Sequence, residues 1–186
     1  MLAAWTCALL AAAPDPSATP EGSNWHARYS AGVDLGGNFT FFTDASQAQT
    51  VVPGAGQGFF VRGGAQRADT WGVELEASIG ALVLWGFARV GAFAVLPLGE
   101  RFSLALGAVF DATYGHQTGL AFQGVFSGTG AGRWDIHLLR VRGARGERRA
   151  LTLSIALEAG AVLAAKSFSR GGPSAGAFLM VGPSWY

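Results

Sequence analysis

The sequence predicts an all-β fold, an eight-stranded antiparallel up-and-down barrel that crosses a membrane. Three observations support this: long stretches that alternate with period two, a composition poor in charge, and aromatic residues collected near strand ends. In Arg101–Gly115 the even positions are apolar and the odd positions mostly small or polar, which indicates a strand with one apolar face. Strands in soluble sheets usually have about five or six residues, whereas a tilted membrane-crossing strand needs about 9–11.

The composition excludes several classes of protein. Charged residues make up only 13% of the 186 residues, and glycine contributes 28 of them. Such a chain is too apolar to be disordered and too poor in charge to cover a soluble surface. A membrane-spanning helix needs about 20 apolar residues, but the longest charge-free stretch after the N-terminal region, Ala112–Gly132, is rich in Gly, Thr, Gln and Ser. The net charge of +1 argues against a nucleic-acid partner.

The N-terminus resembles an export signal. Leu2–Ala13 is an apolar stretch of signal-peptide length, and a linker containing Pro14, Pro16 and Pro20 follows it. The first four residues carry no Lys or Arg, which departs from the usual signal, and Pro14 disfavours cleavage directly after Ala13. We expect residues 1–22 to be signal peptide and linker and residues 23–186 to form one barrel domain. Cys7, the only cysteine, lies in the signal and excludes an internal disulfide.

The first two strands differ in clarity. A strand begins near Trp25 and alternates to about Thr43, with Asp34 on its polar face. The sequence predicts a polar loop over Asp44–Gly56. A short strand follows at Gln57–Gln66, and Arg67–Asp69 is its turn.

The next three strands have the cleanest pattern. Thr70–Leu84 and Phe87–Leu96 are joined by a two-residue loop, and a Pro97–Gly99 turn leads into Arg101–Gly115. The length of each hairpin loop fixes which positions share a face. Both turn lengths agree with the alternation of all three strands, so we expect these strands to be adjacent and antiparallel.

The last three strands follow longer connections. The sequence predicts a loop over His116–Gly132, with room for a hairpin extension around Leu120–Phe126, and a strand over Arg133–Gly143 whose alternation fails at Leu138–Leu139. The remaining elements are a turn at Ala144–Arg148, a strand at Arg149–Ala165, a loop at Lys166–Gly172 and a strand at Ala175–Tyr186. The connections on one side of the barrel are then mostly longer loops, with the two-residue Trp85–Gly86 connection as the exception, and those on the other side are short turns, as in outer-membrane barrels.

Aromatic residues are predicted at both membrane interfaces, where such residues are enriched. One rim receives Trp25, Tyr29, Trp71, Phe102, Trp185 and Tyr186, and the other receives Trp85, Tyr114 and Trp134. The rival fold is a soluble barrel of the lipocalin type with its apolar face inside. That fold needs charges along every outward position, and the sequence does not supply them.

These features together resemble the small outer-membrane β-barrel family of the OmpA/OmpX/OmpW type. The resemblance rests on the signal-like N-terminus, the eight alternating strands, the turn and strand of Pro97–Leu104, and a last strand that ends in an aromatic residue. It implies an outer-membrane monomer in contact with lipid, without a cofactor. It also implies recognition of the C-terminal strand by the barrel-assembly machinery, through Tyr186 with Met180 and Phe178 in phase.

The polar face of the strands carries the candidate site. We expect these side chains to form a polar network in the lumen, with Arg62 directly opposite Glu74: Asp34, Arg62, Glu74, Glu76, Arg89, Asp111, Asp135, His137 and Glu158. The lumen of an eight-stranded barrel holds little beyond side chains or one small ligand. The network is therefore either structural or the lining of a narrow pore or cavity. A structural, adhesive or small-solute role follows, with no catalytic motif.

The alternative is a lipid-modifying barrel enzyme. Some eight-stranded barrels are lipid-A acyl hydrolases or transferases that use a His with a nearby Ser and an acid. Here the candidates are His116, His137, Ser127 and Asp135, without a recognisable motif around them. Three scattered histidines do not make a metal site. The arginines of Arg140–Arg149 are expected to touch anionic lipid headgroups at the rim.

Overall fold

The protein is a closed barrel of eight strands. The computed structural model describes residues 24–44, 49–67, 70–82, 85–115, 123–142, 148–165 and 168–186. The strands are β1 Trp25–Asp44, β2 Gln49–Arg67, β3 Gly72–Leu82, β4 Trp85–Pro97, β5 Phe102–Gly115, β6 Gln123–Arg142, β7 Arg148–Ala165 and β8 Phe168–Trp185. Each pairs antiparallel with the next, and β8 closes on β1. The predicted up-and-down barrel is confirmed. Among the described residues no helix is long and apolar enough to cross a membrane.

The barrel is apolar outside and polar inside. Leu75 and Val90 point outward with 66% and 62% of their surface exposed, while their neighbours Glu76 and Arg89 are 2% and 1% exposed. A barrel in water would bury the apolar set instead, because apolar burial drives folding there. The soluble-barrel alternative is therefore wrong.

Three of the predicted loops are partly strand. β2 begins at Gln49, β6 at Gln123 and β8 at Phe168, so the predictions of loop over Asp44–Gly56, His116–Gly132 and Lys166–Gly172 are wrong over most of their length. These stretches are rich in glycine and polar residues, which weaken a strand signal, but pairing with a neighbouring strand holds them extended.

The two ends of the barrel have connections of similar length. The terminal end carries Trp25, Tyr186 and the connections 68–71, 98–101 and 143–147; the hairpin end carries the connections 45–48, 83–84, 116–122 and 166–167. The predicted asymmetry between long loops and short turns is therefore wrong. What distinguishes the hairpin end is strand length, since β2 continues past the last residue that pairs with β3, Gln57, by eight residues, 49–56.

Turns and bulges set the register. Gly99, the last residue of the predicted Pro97–Gly99 turn, has a φ of 92°, a left-handed geometry that favours glycine. A bulge between His137 and Leu139 explains why the alternation fails at that point. The β2–β3 turn is centred one residue later than predicted, because Gln66 pairs with Gly72. Arg62 therefore stands opposite Glu76, and the predicted Arg62–Glu74 alignment is wrong.

Two of the predicted interface aromatics lie elsewhere. Trp134 pairs with Leu104 beside Phe102, so it belongs to the terminal half of the barrel rather than the opposite rim. The reason is that β6 begins ten residues earlier than the predicted strand. Tyr186 faces the lumen, with its ring 4.8 Å from that of His137. The Trp85 side chain lies outside the described residues, as does the whole of His116.

The other aromatics lie on the outer surface. Trp25 and Trp71 make an edge-to-face contact at 5.1 Å between centroids, and Tyr29 pairs with Trp185 across the β1–β8 seam. Tyr114 lies over Gly86, where it fills the space that a side chain would occupy. These contacts cover the seam and one hairpin without adding charge to the outer wall.

Candidate functional site

The lumen holds a dense set of charged side chains. All nine residues predicted for the polar network point inward and are at most 5% exposed. The structure adds Arg28 and Arg133, which are 6% and 1% exposed. Among the described residues, four arginines, six carboxylates and one histidine therefore share the interior. Strands β1 to β7 contribute these side chains, all from inward-facing positions, which alternate along a strand.

Arg133 is the centre of the terminal half. Its guanidinium donates to Glu74, to Glu76 with Nη1 to Oε2 at 2.7 Å, and to Asp135 with Nε to Oδ1 at 3.0 Å. The side chain is completely buried and packs over the Phe93 ring at 4.9 Å. One buried cation thus joins three carboxylates, and every nitrogen of its guanidinium is used.

Arg62 crosses the lumen from the opposite wall. Its Nε lies 2.6 Å from Glu76 Oε2, and its Nη1 donates to Ser154 Oγ at 2.9 Å. Asp135 and Glu74 lie further away, at 3.5 and 3.9 Å. Because Arg62 belongs to β2 and Ser154 to β7, this side chain ties two distant strands together.

Arg89 is the cation of the hairpin half. It donates to Glu158 and, through Nη1, to Glu76 Oε1 at 3.1 Å, while its guanidinium lies 4.0 Å from the centre of the Phe178 ring. Its Nε and Asp111 Oδ1 are 3.5 Å apart, and neither atom has a hydrogen-bond partner. Glu76 therefore binds three arginines and joins the two halves.

Asp34 is the carboxylate that the network leaves out. The residue is 2% exposed, yet neither of its oxygens has a hydrogen-bond partner in the described structure. The Ser78 hydroxyl is also without a partner. Burying an unsatisfied polar group is costly, so the hairpin half holds polar groups that its own side chains do not satisfy.

Both ends of the lumen are filled. At the terminal end, His137 Nδ1 and Thr152 Oγ1 are 2.9 Å apart and the Arg28 guanidinium lies 5.6 Å from the centre of the Tyr186 ring. The polar cavity left there has a volume of about 10 Å³, which corresponds to roughly one water. Towards the hairpin end, Thr113 donates to Asn38 at 2.8 Å and Phe87 contacts Phe178 edge to face.

The catalytic candidates that the structure describes, Ser127, Asp135 and His137, do not form one site. Ser127 and His137 both lie on β6, ten residues apart, which corresponds to about 33 Å along a strand. Ser127 accepts a hydrogen bond from Ser174 at 3.2 Å, and Asp135 is held by Arg133. Ser127 and His137 therefore cannot act together as nucleophile and base. Within the described ranges no group of three or more His, Cys, Asp or Glu is placed to hold a metal.

The strand count, the closure and the polar interior decide the architecture. The protein has the fold of a small eight-stranded outer-membrane barrel. No protein-family model matches the sequence, and no curated protein matches it.

Solved structures with a similar fold include those of Ail and OprG. Ail is the attachment invasion locus protein of Yersinia pestis, and its complex with the heparin analogue sucrose octasulfate is 13% identical, covers 86% of this chain and 96% of Ail, and has a TM-score of 0.49. A second Ail structure is 14% identical, with coverages of 88% and 98% and a TM-score of 0.47. OprG from Pseudomonas aeruginosa is 11% identical, with coverages of 88% and 95% and a TM-score of 0.48. At these identities the likeness concerns the fold alone.

Arg28 and Arg133 are the residues that sequence reasoning missed. The sequence predicts a strand that begins at Arg133, whereas β6 starts ten residues earlier and Arg133 lies well inside it. Its inward orientation could have been predicted from the alternation, since Arg133 lies two and four residues before the inward-facing Asp135 and His137. Arg28 likewise shares the inward phase of Ser30 and Asp34.

Proposed function

We propose that the protein is an integral outer-membrane barrel with a closed lumen and a structural or adhesive role. The observation that supports this most strongly is the arginine–carboxylate network that crosses the lumen at Glu76. A path for solutes would have to separate Arg62, Arg89 and Arg133 from that carboxylate, and unpaired buried charges are strongly unfavourable.

The outer wall supports the membrane location. Large apolar side chains on all eight strands are exposed, and the outward positions next to the buried charges carry Leu, Val, Ile and Phe. An apolar outer band with a polar interior is typical of outer-membrane barrels. We assign the terminal end to the periplasm and the hairpin end to the outside, since the termini and the arginine-rich turn share the former.

The location is tested by membrane fractionation and by gel mobility. The protein should partition with outer membranes, and unheated samples should migrate differently from boiled ones because the barrel stays folded in SDS. A soluble protein whose mobility does not change on boiling would contradict the proposal.

The closed lumen is tested by electrical recording. The refolded protein in a planar bilayer should give no stable conductance steps, because its charged side chains already occupy the interior. Arg133→Gly removes the largest central side chain and should increase conductance if this residue blocks the lumen. Open-pore conductance of the unaltered protein would favour a solute channel instead.

The surface role is tested through sidedness. A protease site inserted in 45–48 should be cleaved on intact cells, while the same site in 143–147 should be protected until the outer membrane is opened. The reverse pattern would invert the topology.

Lipid A from strains that overproduce the protein should keep its acyl pattern; a changed pattern would favour the lipid-modifying enzyme.

A further inference from the structure

We propose that the outer face of β6 holds one anionic phospholipid, whose acyl chain lies in an apolar groove and whose phosphate binds arginines at the terminal end. This rests on the proposed membrane location. The groove has a volume of about 680 Å³ and opens outward. Phe102 and Leu104 of β5 form one wall, Ile155 and Leu157 of β7 form the other, and Trp134 lies between them.

Glycine gives the groove its depth. Gly132 lines its floor and Gly130 is the next outward position of the same strand, whereas Leu163 already lies against Gly128. A Cβ at Gly130 or Gly132 would meet nothing closer than 3.9 or 3.7 Å. The fold therefore does not require glycine there, unlike Gly58, whose Cβ would collide with the carbonyl oxygen of Ile79. Glycine weakens a strand interior. A lipid acyl chain that packs against the outside of the strand compensates for this loss of stability.

The dimensions suit one acyl chain. On β6 the groove is lined from Ile136 to Gly132, an advance of four residues, about 13 Å. With a tilt of about 45° this covers roughly 9 Å of depth, which accommodates the part of one acyl chain nearest its headgroup. The stacked rings of Phe110 and Phe126, 5.9 Å apart, lie just beyond Gly128 towards the hairpin end. The path therefore begins at the terminal end and stops within the membrane.

Charge at the open end of the groove selects the occupant. Arg101 directly precedes Phe102, and Arg140 reaches back to Glu100 with Nη2 to Oε2 at 2.8 Å. Arg140, Arg142 and Arg148 all lie within electrostatic range of Glu100 at this rim, and Arg101 and Arg149 are the chain neighbours of Glu100 and Arg148. Arginine binds phosphate through paired donors. An acyl chain joined to an anionic phosphate matches both the apolar groove and this basic rim.

The test is native mass spectrometry of the full chain, refolded in neutral detergent and given phosphatidylglycerol or phosphatidylethanolamine with identical acyl chains. We expect one phosphatidylglycerol to remain bound at an occupancy well above that of phosphatidylethanolamine. Inorganic phosphate alone should not compete at equal concentration, because the acyl chain contributes to binding. Equal retention of the two lipids, a bound second copy of the chain, or full competition by phosphate would overturn the proposal.

Matched variants separate the groove from the rest of the surface. Gly132→Leu fills the groove and should lower occupancy at least tenfold, with Gly130→Leu as a second variant. Gly124→Leu, on the same face of β6 where a Cβ would meet nothing within 4 Å, should leave it unchanged. Arg101→Gln and Arg149→Gln should each lower the lipid occupancy about fivefold. Arg67→Gln, on the β2–β3 side, should leave the occupancy unchanged.

Equal losses in the test and control variants would overturn the proposal. Gel mobility before and after boiling confirms that each variant is folded. If the protein does not fractionate with outer membranes, the proposed function fails. If it does, but shows no preference for phosphatidylglycerol, only this inference fails.

Discussion

The two halves of the lumen satisfy their charges to different degrees. Among the described arginines of the terminal half, every guanidinium nitrogen of Arg62 and Arg133 has a hydrogen-bond partner, whereas Arg28 Nε has none and lies 3.7 Å from Glu74 Oε2. In the hairpin half, Arg89 Nε, Asp111 Oδ1 and both oxygens of Asp34 have no hydrogen-bond partner in the described structure, although Arg89 Nε and Asp111 Oδ1 form an ion pair at 3.5 Å. Arg62 and Arg133 in the terminal half are thus fully hydrogen-bonded, whereas the hairpin half buries several polar atoms without hydrogen-bond partners.

The largest expected effect is at Glu76, which joins the halves. Glu76→Gln should destabilise the barrel by about 3–5 kcal/mol, because three buried arginines lose their shared carboxylate. The measurement is urea unfolding in lipid vesicles, followed by tryptophan fluorescence. The matched control is Asp34→Asn, which removes a charge with no hydrogen-bond partner and should be neutral or stabilising. Equal losses for the two variants would erase the distinction between the halves.

A second substitution compares cations. Arg133→Met should cost about 3 kcal/mol or more, since Glu74, Glu76 and Asp135 would be left without their common donor. Arg142→Met, at the exposed rim, should change the free energy of unfolding by about 0.5 kcal/mol or less. A small effect at Arg133 would mean that the neighbouring arginines can take over its contacts.

A double-mutant cycle tests the revised register. Arg62 and Glu76 should show a coupling energy of about 1–3 kcal/mol, because their atoms lie 2.6 Å apart. Arg62 and Glu74, at 3.9 Å, should couple more weakly. Stronger coupling to Glu74 would restore the alignment predicted from the sequence.

The smallest effect lies outside the lumen. A hydrogen bond from Arg140, together with its charge, lowers the pKa of Glu100. A carboxyl with a lowered pKa contributes stability above its ordinary value of about 4.3 and loses it as the pH falls through the lowered pKa. Arg140→Gln should therefore raise the pKa of Glu100, measured by NMR titration, with little change in unfolding near neutral pH. An unchanged pKa would show that the contact is absent in solution.

The accuracy of the sequence prediction follows strand clarity. β3, β4 and β5 were predicted well because tight turns and strict alternation constrain each other. The first residues of β2, β6 and β8, at the hairpin end, were predicted as loop because their glycine and polar residues give little periodic signal. Only pairing with neighbouring strands holds these stretches extended. The same error put Trp134 at the wrong rim. The network contacts depend on register, and a one-residue shift in the β2–β3 turn changed the partner of Arg62.

The orientation of β8 has a consequence for assembly. Phe178 and Met180 point into the lumen and are 2% and 0% exposed, and Tyr186 shares their face. If the assembly machinery reads these residues, it can do so only while the seam between β1 and β8 is open. Closing the seam hides them beneath Arg62 and Arg89. The recognised side chains would then become inaccessible once the barrel closes. A finished barrel would no longer compete with unfinished barrels for the machinery.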